Sequence, residues 1–172
     1  AKRRWEMMAQ IRREKFDLVL PEVMRENNID MWIIMNREGN DDPLWADFGQ
    51  GYTGKDGFYV FTDKGGDRIE RAALGVGGYR LERGGGYDLT LGSDKLKEFV
   101  QERDPKRIGL NMSHHFGAAD GLTYTGYMQI AETLGAPYKD RLVSAEKLVS
   151  DFRSRRVATE IAAFAEAGAH SK

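Results

Sequence analysis

Apolar residues recur along this chain with two different periods, and the places where the period changes mark out the elements. Trp5, Met8 and Ile11 fall on one side of a 3.6-residue repeat, with Arg3, Arg4, Arg12 and Arg13 on the other, which predicts an amphipathic helix. A second helical stretch continues through Phe16, Val19, Leu20, Val23 and Met24, with Pro21 kinking it or standing near its start. Asn27-Asn28 supplies a left-handed stop, because Asn tolerates positive φ. Met31-Trp32-Ile33-Ile34-Met35 is uninterruptedly apolar, as a strand buried on both faces requires. It runs into a polar loop from Asn36 to Pro43 and an irregular stretch up to Gly57. Phe58–Thr62 reads as the second strand and Ile69–Leu74 as the third, joined by the turn Asp63-Lys64-Gly65-Gly66-Asp67. Two short extended pieces, near Tyr79–Leu81 and Tyr87–Leu91, flank Gly84-Gly85-Gly86.

Helices and strands alternate beyond that point. Ser93 is a candidate cap for a helix with Leu96, Phe99 and Val100 inward, ended by Asp104-Pro105. Arg107–Asn111 is the next strand. Asp120 is placed as the cap of a helix whose inward face is Tyr124, Tyr127, Met128, Ala131 and Leu134, with Gly135 terminating it. Asp140–Val143 forms a last short strand, and Ser144 caps the helix leading toward Arg153. A meander followed by alternating elements predicts an α/β domain with a mixed, partly parallel central β-sheet flanked by helices.

From Arg153 onward the text is helical, and Val157, Ile161, Phe164, Ala165 and Gly168 make a narrow apolar stripe with nothing after it to cover them. The expectation is a domain over residues 1–152 and, over residues 153–172, the start of a linker helix belonging to a longer protein.

Composition narrows the classes without choosing among them. At 172 residues, 41% hydrophobic and 31% charged, the chain suits one globular domain and excludes disorder. Lys plus Arg (26) nearly balance Asp plus Glu (27), so a net charge of −1 predicts no nucleic-acid partner and no anionic-membrane partner. No apolar run suits a bilayer span and no signal-peptide core follows Lys2, Arg3 and Arg4. The absence of cysteine excludes disulfides, thiolate metal sites and a cysteine nucleophile, and leaves the compartment unread, with the cytoplasm favoured.

Candidate chemistry is sparse. Gly75-Val76-Gly77-Gly78-Tyr79-Arg80 departs from a dinucleotide fingerprint, since Arg80 stands where a third glycine belongs and no helix is expected to follow directly; a strand-connecting turn is the better reading. His114 and His115 are adjacent and diverge on any regular element, which is poor geometry for one metal ion. A ribonuclease H-like nuclease would need carboxylates converging on a divalent cation, and the first strand carries none between Met31 and Asn36. No Gly-x-Ser-x-Gly elbow is present. The best candidate is the acidic loop with Glu38, Asp41 and Asp42 next to Arg37, at the carboxyl end of the first buried strand, where open α/β sheets usually place ligands. These residues assemble no catalytic constellation, so a non-catalytic domain is expected.

The order of these elements resembles the N-terminal domain of the creatinase, prolidase and aminopeptidase P family, whose catalytic half has the pita-bread fold. The resemblance is carried by the helix end Glu26-Asn27-Asn28-Ile29-Asp30 and the strand after it, by Ala119-Asp120-Gly121-Leu122-Thr123, by Arg141-Leu142-Val143, and by Arg153, Arg156, Glu160 and Ile161. The last group is similar to the family's hinge signature, with Val157 and Ala158 where Ser/Thr-Pro is usual; Tyr52-Thr53-Gly54 echoes an aromatic-Leu-Thr-Gly segment.

The resemblance implies a C-terminal catalytic domain outside these residues, holding two divalent metal ions, commonly manganese, and cleaving proline-containing peptides, with no cofactor in the residues at hand. It also implies a homodimer or homotetramer in which the N-terminal domain gates the substrate pocket. By position, the gating candidates are Asn36, Arg37, Glu38, Asn40, Asp41, Asp42, Trp45 and Tyr52. A creatinase-type amidinohydrolase parent remains open, as do a free-standing α/β module holding a small ligand and a purely structural dimerisation domain.

Overall fold

The computed structural model describes residues 1–171. Its framework is a six-stranded sheet in the order β4-β3-β2-β1-β5-β6, built from β1 (Met31–Arg37), β2 (Tyr52–Asp63), β3 (Ile69–Gly77), β4 (Leu89–Leu91), β5 (Ile108–Leu110) and β6 (Leu142–Ser144). β1, β2 and β3 form an antiparallel meander, while β4, β5 and β6 add in parallel at its two sides. The sheet is therefore mixed and partly parallel.

The apolar run of β1 explains why this strand lies inside the sheet. Trp32 and Ile34 point to one face and Met31, Ile33 and Met35 to the other, following the two-residue repeat of a strand. The first face is covered by a long N-terminal helical segment, comprising α1 (Lys2–Glu14), a π-helical stretch (Lys15–Val19) and α2 (Leu20–Glu26), and by α7 (Glu146–Ser154). The second is covered by α5 (Leu96–Arg103) and α6 (Tyr124–Leu134). Covering both faces is what lets β1 be apolar throughout Met31–Met35.

Pro21 sits in the first turn of α2, directly after the π-helical stretch. It neither breaks nor ends the helix. A proline ring clashes with the carbonyl four residues earlier, and the wider π turn relieves that clash. Asn28 then stops the helix at φ 53°, as expected.

Several expectations are corrected. The stretch after the acidic loop is not irregular as far as Gly57: it holds a short helix, α3 (Trp45–Phe48), and β2 begins at Tyr52. Tyr79–Leu81 belongs to a helix, α4 (Tyr79–Gly84), so a helix does follow Gly78 directly. Thr123, not Asp120, caps α6, its hydroxyl accepting the Gly126 N–H at 3.0 Å; Asp120 accepts the Ser113 N–H instead. α6 turns Gly126, Ile130 and Leu134 inward and leaves Tyr124 78% exposed. Apolarity alone had suggested Tyr124 and Met128, but the helix has more apolar residues than one face can hold. Ser93 opens a 3-10 turn, Ser93–Lys95, without a capping bond. α7 stops at Ser154 and α8 (Ala158–His170) is a separate helix, with Arg155–Val157 extended between them. Val157 is buried, whereas Ile161 and Phe164 are 57% and 62% exposed. Lys172, the last residue of the expected linker, lies outside the described residues. Among the described residues no helix is long and apolar enough to cross a membrane.

Candidate functional site

Asn36, near the end of β1, continues the Trp32/Ile34 face and is fully buried. Its Oδ1 accepts the Asp42 N–H at 2.7 Å, closing the acidic loop back onto its own strand. The Asp42 carboxylate accepts the Leu44 N–H at 2.9 Å and both its oxygens face the Asn111 amide, at 3.4 and 3.2 Å. The Asn111 carbonyl in turn accepts the Trp32 indole N–H at 2.8 Å. A relay of buried polar groups thus runs from the aromatic core to the loop. Burial pushes the Asp42 carboxyl up from the ordinary 3.8 to about 6, against the pull of the Leu44 N–H and the Asn111 amide. The Asn36 amide nitrogen has no partner among the described residues.

This relay aims α3. Asp42 turns the chain, its carbonyl accepts the Trp45 N–H at 2.8 Å, and α3 begins there. The Trp45 indole N–H then donates to the Gly51 carbonyl at 2.8 Å, while the Gly51 N–H donates to the Tyr59 hydroxyl at 3.0 Å. Burial of that phenol pushes it up to about 12, so it stays a neutral anchor. Between the loop, α3 and the start of β2 lies an open groove of about 320 Å³. Glu38, Asp41, Trp45 and Tyr52 line it, together with Gln50 and Arg80; the Arg80 guanidinium donates to the Gln50 carbonyl at 2.8 Å.

The eight sequence candidates therefore divide. Glu38, Asp41, Trp45 and Tyr52 converge on the groove, and Tyr52 is 71% exposed there. Asn36 and Asp42 lie beneath it and hold its wall. Arg37 points elsewhere, donating to Asp56 at 3.2 Å, and Asn40 closes the hairpin with a backbone bond to the Arg37 carbonyl at 2.9 Å. Sequence reasoning missed Arg80, Asn111 and Gly121. A polar residue closing the apolar strand Ile108–Leu110 was a usable sign for Asn111; Arg80 reaches the groove only because β3 returns beside β2.

Gly121 packs against Asp42 so closely that a Cβ there would meet the Asp42 carboxylate and lie 2.5 Å from Pro43 Cδ. Gly121→Ala is expected to destabilise the chain by about 1–3 kcal/mol through overpacking. Gly117→Ala, with nothing within 4 Å of the added carbon, is the control and should stay within about 0.5 kcal/mol by urea denaturation.

No nucleophile with an adjacent base lines the groove. His114 and His115 lie outside it, ring centroids 6.3 Å apart, and among the described residues no three His, Cys, Asp or Glu side chains form a metal-binding group. What the groove offers is an aromatic wall, two exposed carboxylates and one guanidinium.

No protein-family model and no curated protein matches the chain. Among solved structures, an X-Pro aminopeptidase from Thermotoga maritima MSB8 superposes with a TM-score of 0.57 at 16% identity, covering 81% of this chain and 36% of that one. A Xaa-Pro dipeptidase from Bacillus anthracis matches with a TM-score of 0.48 at 20% identity, covering 89% of this chain and 38% of that one. The chain thus shares the fold of part of the X-Pro aminopeptidase and spans little more than a third of its length.

Proposed function

We propose that the chain is the non-catalytic N-terminal domain of a metal-dependent Xaa-Pro peptidase, serving its assembly and gating its substrate pocket. The observation that carries this reading is the fold shared with the X-Pro aminopeptidase over 81% of this chain. The groove is consistent with it, because the gating candidates Glu38, Asp41, Trp45 and Tyr52 present charge and aromatic surface together. The two divalent ions, manganese by resemblance, belong outside this chain in this reading, as does the attack on the bond preceding proline. Residues 153–172 lead toward that catalytic domain, and homodimers or homotetramers bring the groove to a pocket that admits short proline-containing peptides.

The reading frame beyond Lys172 is the first test, since lack of an Asp, Asp, His, Glu, Glu ligand set there excludes a peptidase parent. In the longer protein, Trp45→Ala and Tyr52→Ala should relax length selectivity, raising kcat/KM for longer peptides relative to tripeptides by about threefold to tenfold, the worth of an aromatic contact of ~0.5–1.5 kcal/mol. An unchanged length preference in both variants refutes the gating role. Sedimentation of the longer protein tests assembly, a concentration-independent monomer being the adverse result.

A further inference from the structure

α3 is a single turn, Trp45–Phe48, and a helix this short does not hold its form by its own bonds. All four of its carbonyls nevertheless have partners. The Trp45 carbonyl accepts the N–H groups of Gly49 and Gln50, the second at 3.0 Å, as the chain leaves the turn. The other three are taken by side chains from elsewhere. Arg12 of α1 donates through Nε to the Asp47 carbonyl and through Nη2 to the Ala46 carbonyl, both at 3.1 Å. The Tyr87 hydroxyl, just before β4, donates to the Phe48 carbonyl at 2.5 Å. The open end of the turn is thus closed from outside it.

Arg12 and Arg13 both belong to the polar side of α1, yet each guanidinium turns to a carbonyl. Arg13 Nη1 donates to the Gly84 carbonyl at 2.5 Å, at the end of α4. Arg12 forms no ion pair among the described residues and spends two donors on α3. Its guanidinium is closely seated: a Cβ added at Gly49 would lie 3.7 Å from its Cζ, and one at Gly84 3.4 Å from its Nη1. A planar fork suits two successive carbonyls, whereas a lysine ammonium would act there as a point charge. The effect reaches the other end of the turn. Trp45 opens α3, bonds through its indole N–H to the Gly51 carbonyl, and stands in the wall of the groove. One helical turn moves as a unit, so what fixes its last carbonyls fixes the ring at its start.

We propose that Arg12 is the positioning residue of the groove: by holding α3 from α1, it sets where the Trp45 ring stands. Its consequence for peptides rests on the gating reading, while its geometry does not.

The test uses the 172-residue chain, whose three tryptophans, Trp5, Trp32 and Trp45, give three indole N–H signals by NMR. Arg12→Met should speed solvent exchange of the Trp45 indole N–H at least about tenfold, a local opening that leaves the Trp32 indole within about twofold. Arg13→Met removes the same charge one residue on and should leave Trp45 within about twofold. Arg12→Lys keeps the charge without the fork and should still speed Trp45 by about threefold or more. Unchanged Trp45 exchange in folded Arg12→Met, or equal acceleration by Arg13→Met, overturns the proposal. If circular dichroism shows that Arg12→Met does not fold, Arg12→Lys decides alone, and unchanged exchange there overturns it. In the longer protein, Arg12→Met should relax peptide-length selectivity in the same direction as Trp45→Ala, by about threefold or more. A change with Trp45→Ala and none with Arg12→Met also overturns the proposal. No change with either refutes the gating, and the exchange rates still decide whether Arg12 holds the ring.

Discussion

Trp32→Ala is expected to remove about 3–5 kcal/mol of stability, the range for deleting a large buried aromatic, and a further ~1–3 kcal/mol for the bond it breaks. Trp32 is wholly buried, with its ring centre 5.4 Å from Phe48, 5.7 Å from Phe61 and 5.8 Å from Phe152. These partners come from α3, β2 and α7, so one side chain joins the sheet to two of the helices covering it. Deletion also strands the Asn111 carbonyl, which now accepts the indole N–H at 2.8 Å. Against a typical total of ~5–15 kcal/mol, the variant is marginal or unfolded at room temperature. Trp32→Phe keeps most of the packing and loses the bond alone, so its cost should be about 1–3 kcal/mol. Urea denaturation followed by far-ultraviolet circular dichroism measures both. An alanine variant within about 1 kcal/mol of the parent would mean that the cluster repacks and that Trp32 is not its hub.

The second large effect is in pH. Asp42 is 3% exposed and its carboxyl is raised to about 6 from 3.8. A raised folded-state pKa means that the folded chain binds more protons than the unfolded one between those values. Its contribution is therefore fully present below the unfolded pKa of 3.8 and is lost as pH rises through about 6. The change amounts to about 3 kcal/mol over that window. Asp47, also raised by burial, acts in the same direction. Asp63, Glu70 and Asp88, held low by Arg25, Arg103 and Arg68, act in the opposite direction at lower pH. The Asp42 contribution is isolated by comparing the unfolding free energy of the parent with that of Asp42→Asn between pH 4 and 7. The difference between the two curves should slope through this interval, and the carboxyl carbon of Asp42 should titrate with a midpoint about 6 by NMR. A midpoint near 4 would show that the carboxylate is better solvated or better bonded than the geometry implies.

The acidic loop and the stretch after it are candidates by position, and four of the eight candidate residues line one groove. Loop sequence fixes neither which residues face a groove nor which turn under it. Asp41 and Asp42 are neighbours of identical chemistry, yet one is exposed and the other buried. The difference comes from Asn36, six residues earlier on β1, and from Asn111 and Gly121, which are distant in sequence and reach Asp42 only once β5 pairs with β1. Arg80 escaped notice for a related reason: it looks like part of a glycine turn in the sequence and acquires its surroundings from an element distant along the chain.

Local pattern by itself determined most of the framework: the long N-terminal helix and its Asn28 stop, the doubly buried β1, the β2–β3 hairpin, and the mixed sheet that those periods require. Side-chain period and backbone dihedral preference act over a few residues, so they survive in the linear text. Tertiary structure alone decided the π turn before Pro21, the helical state of Tyr79–Gly84, which face of α6 turns inward, and the separation of α7 from α8. It also decided which charges are buried. Those outcomes depend on desolvation and close packing against partners far along the chain, and no local repeat encodes them.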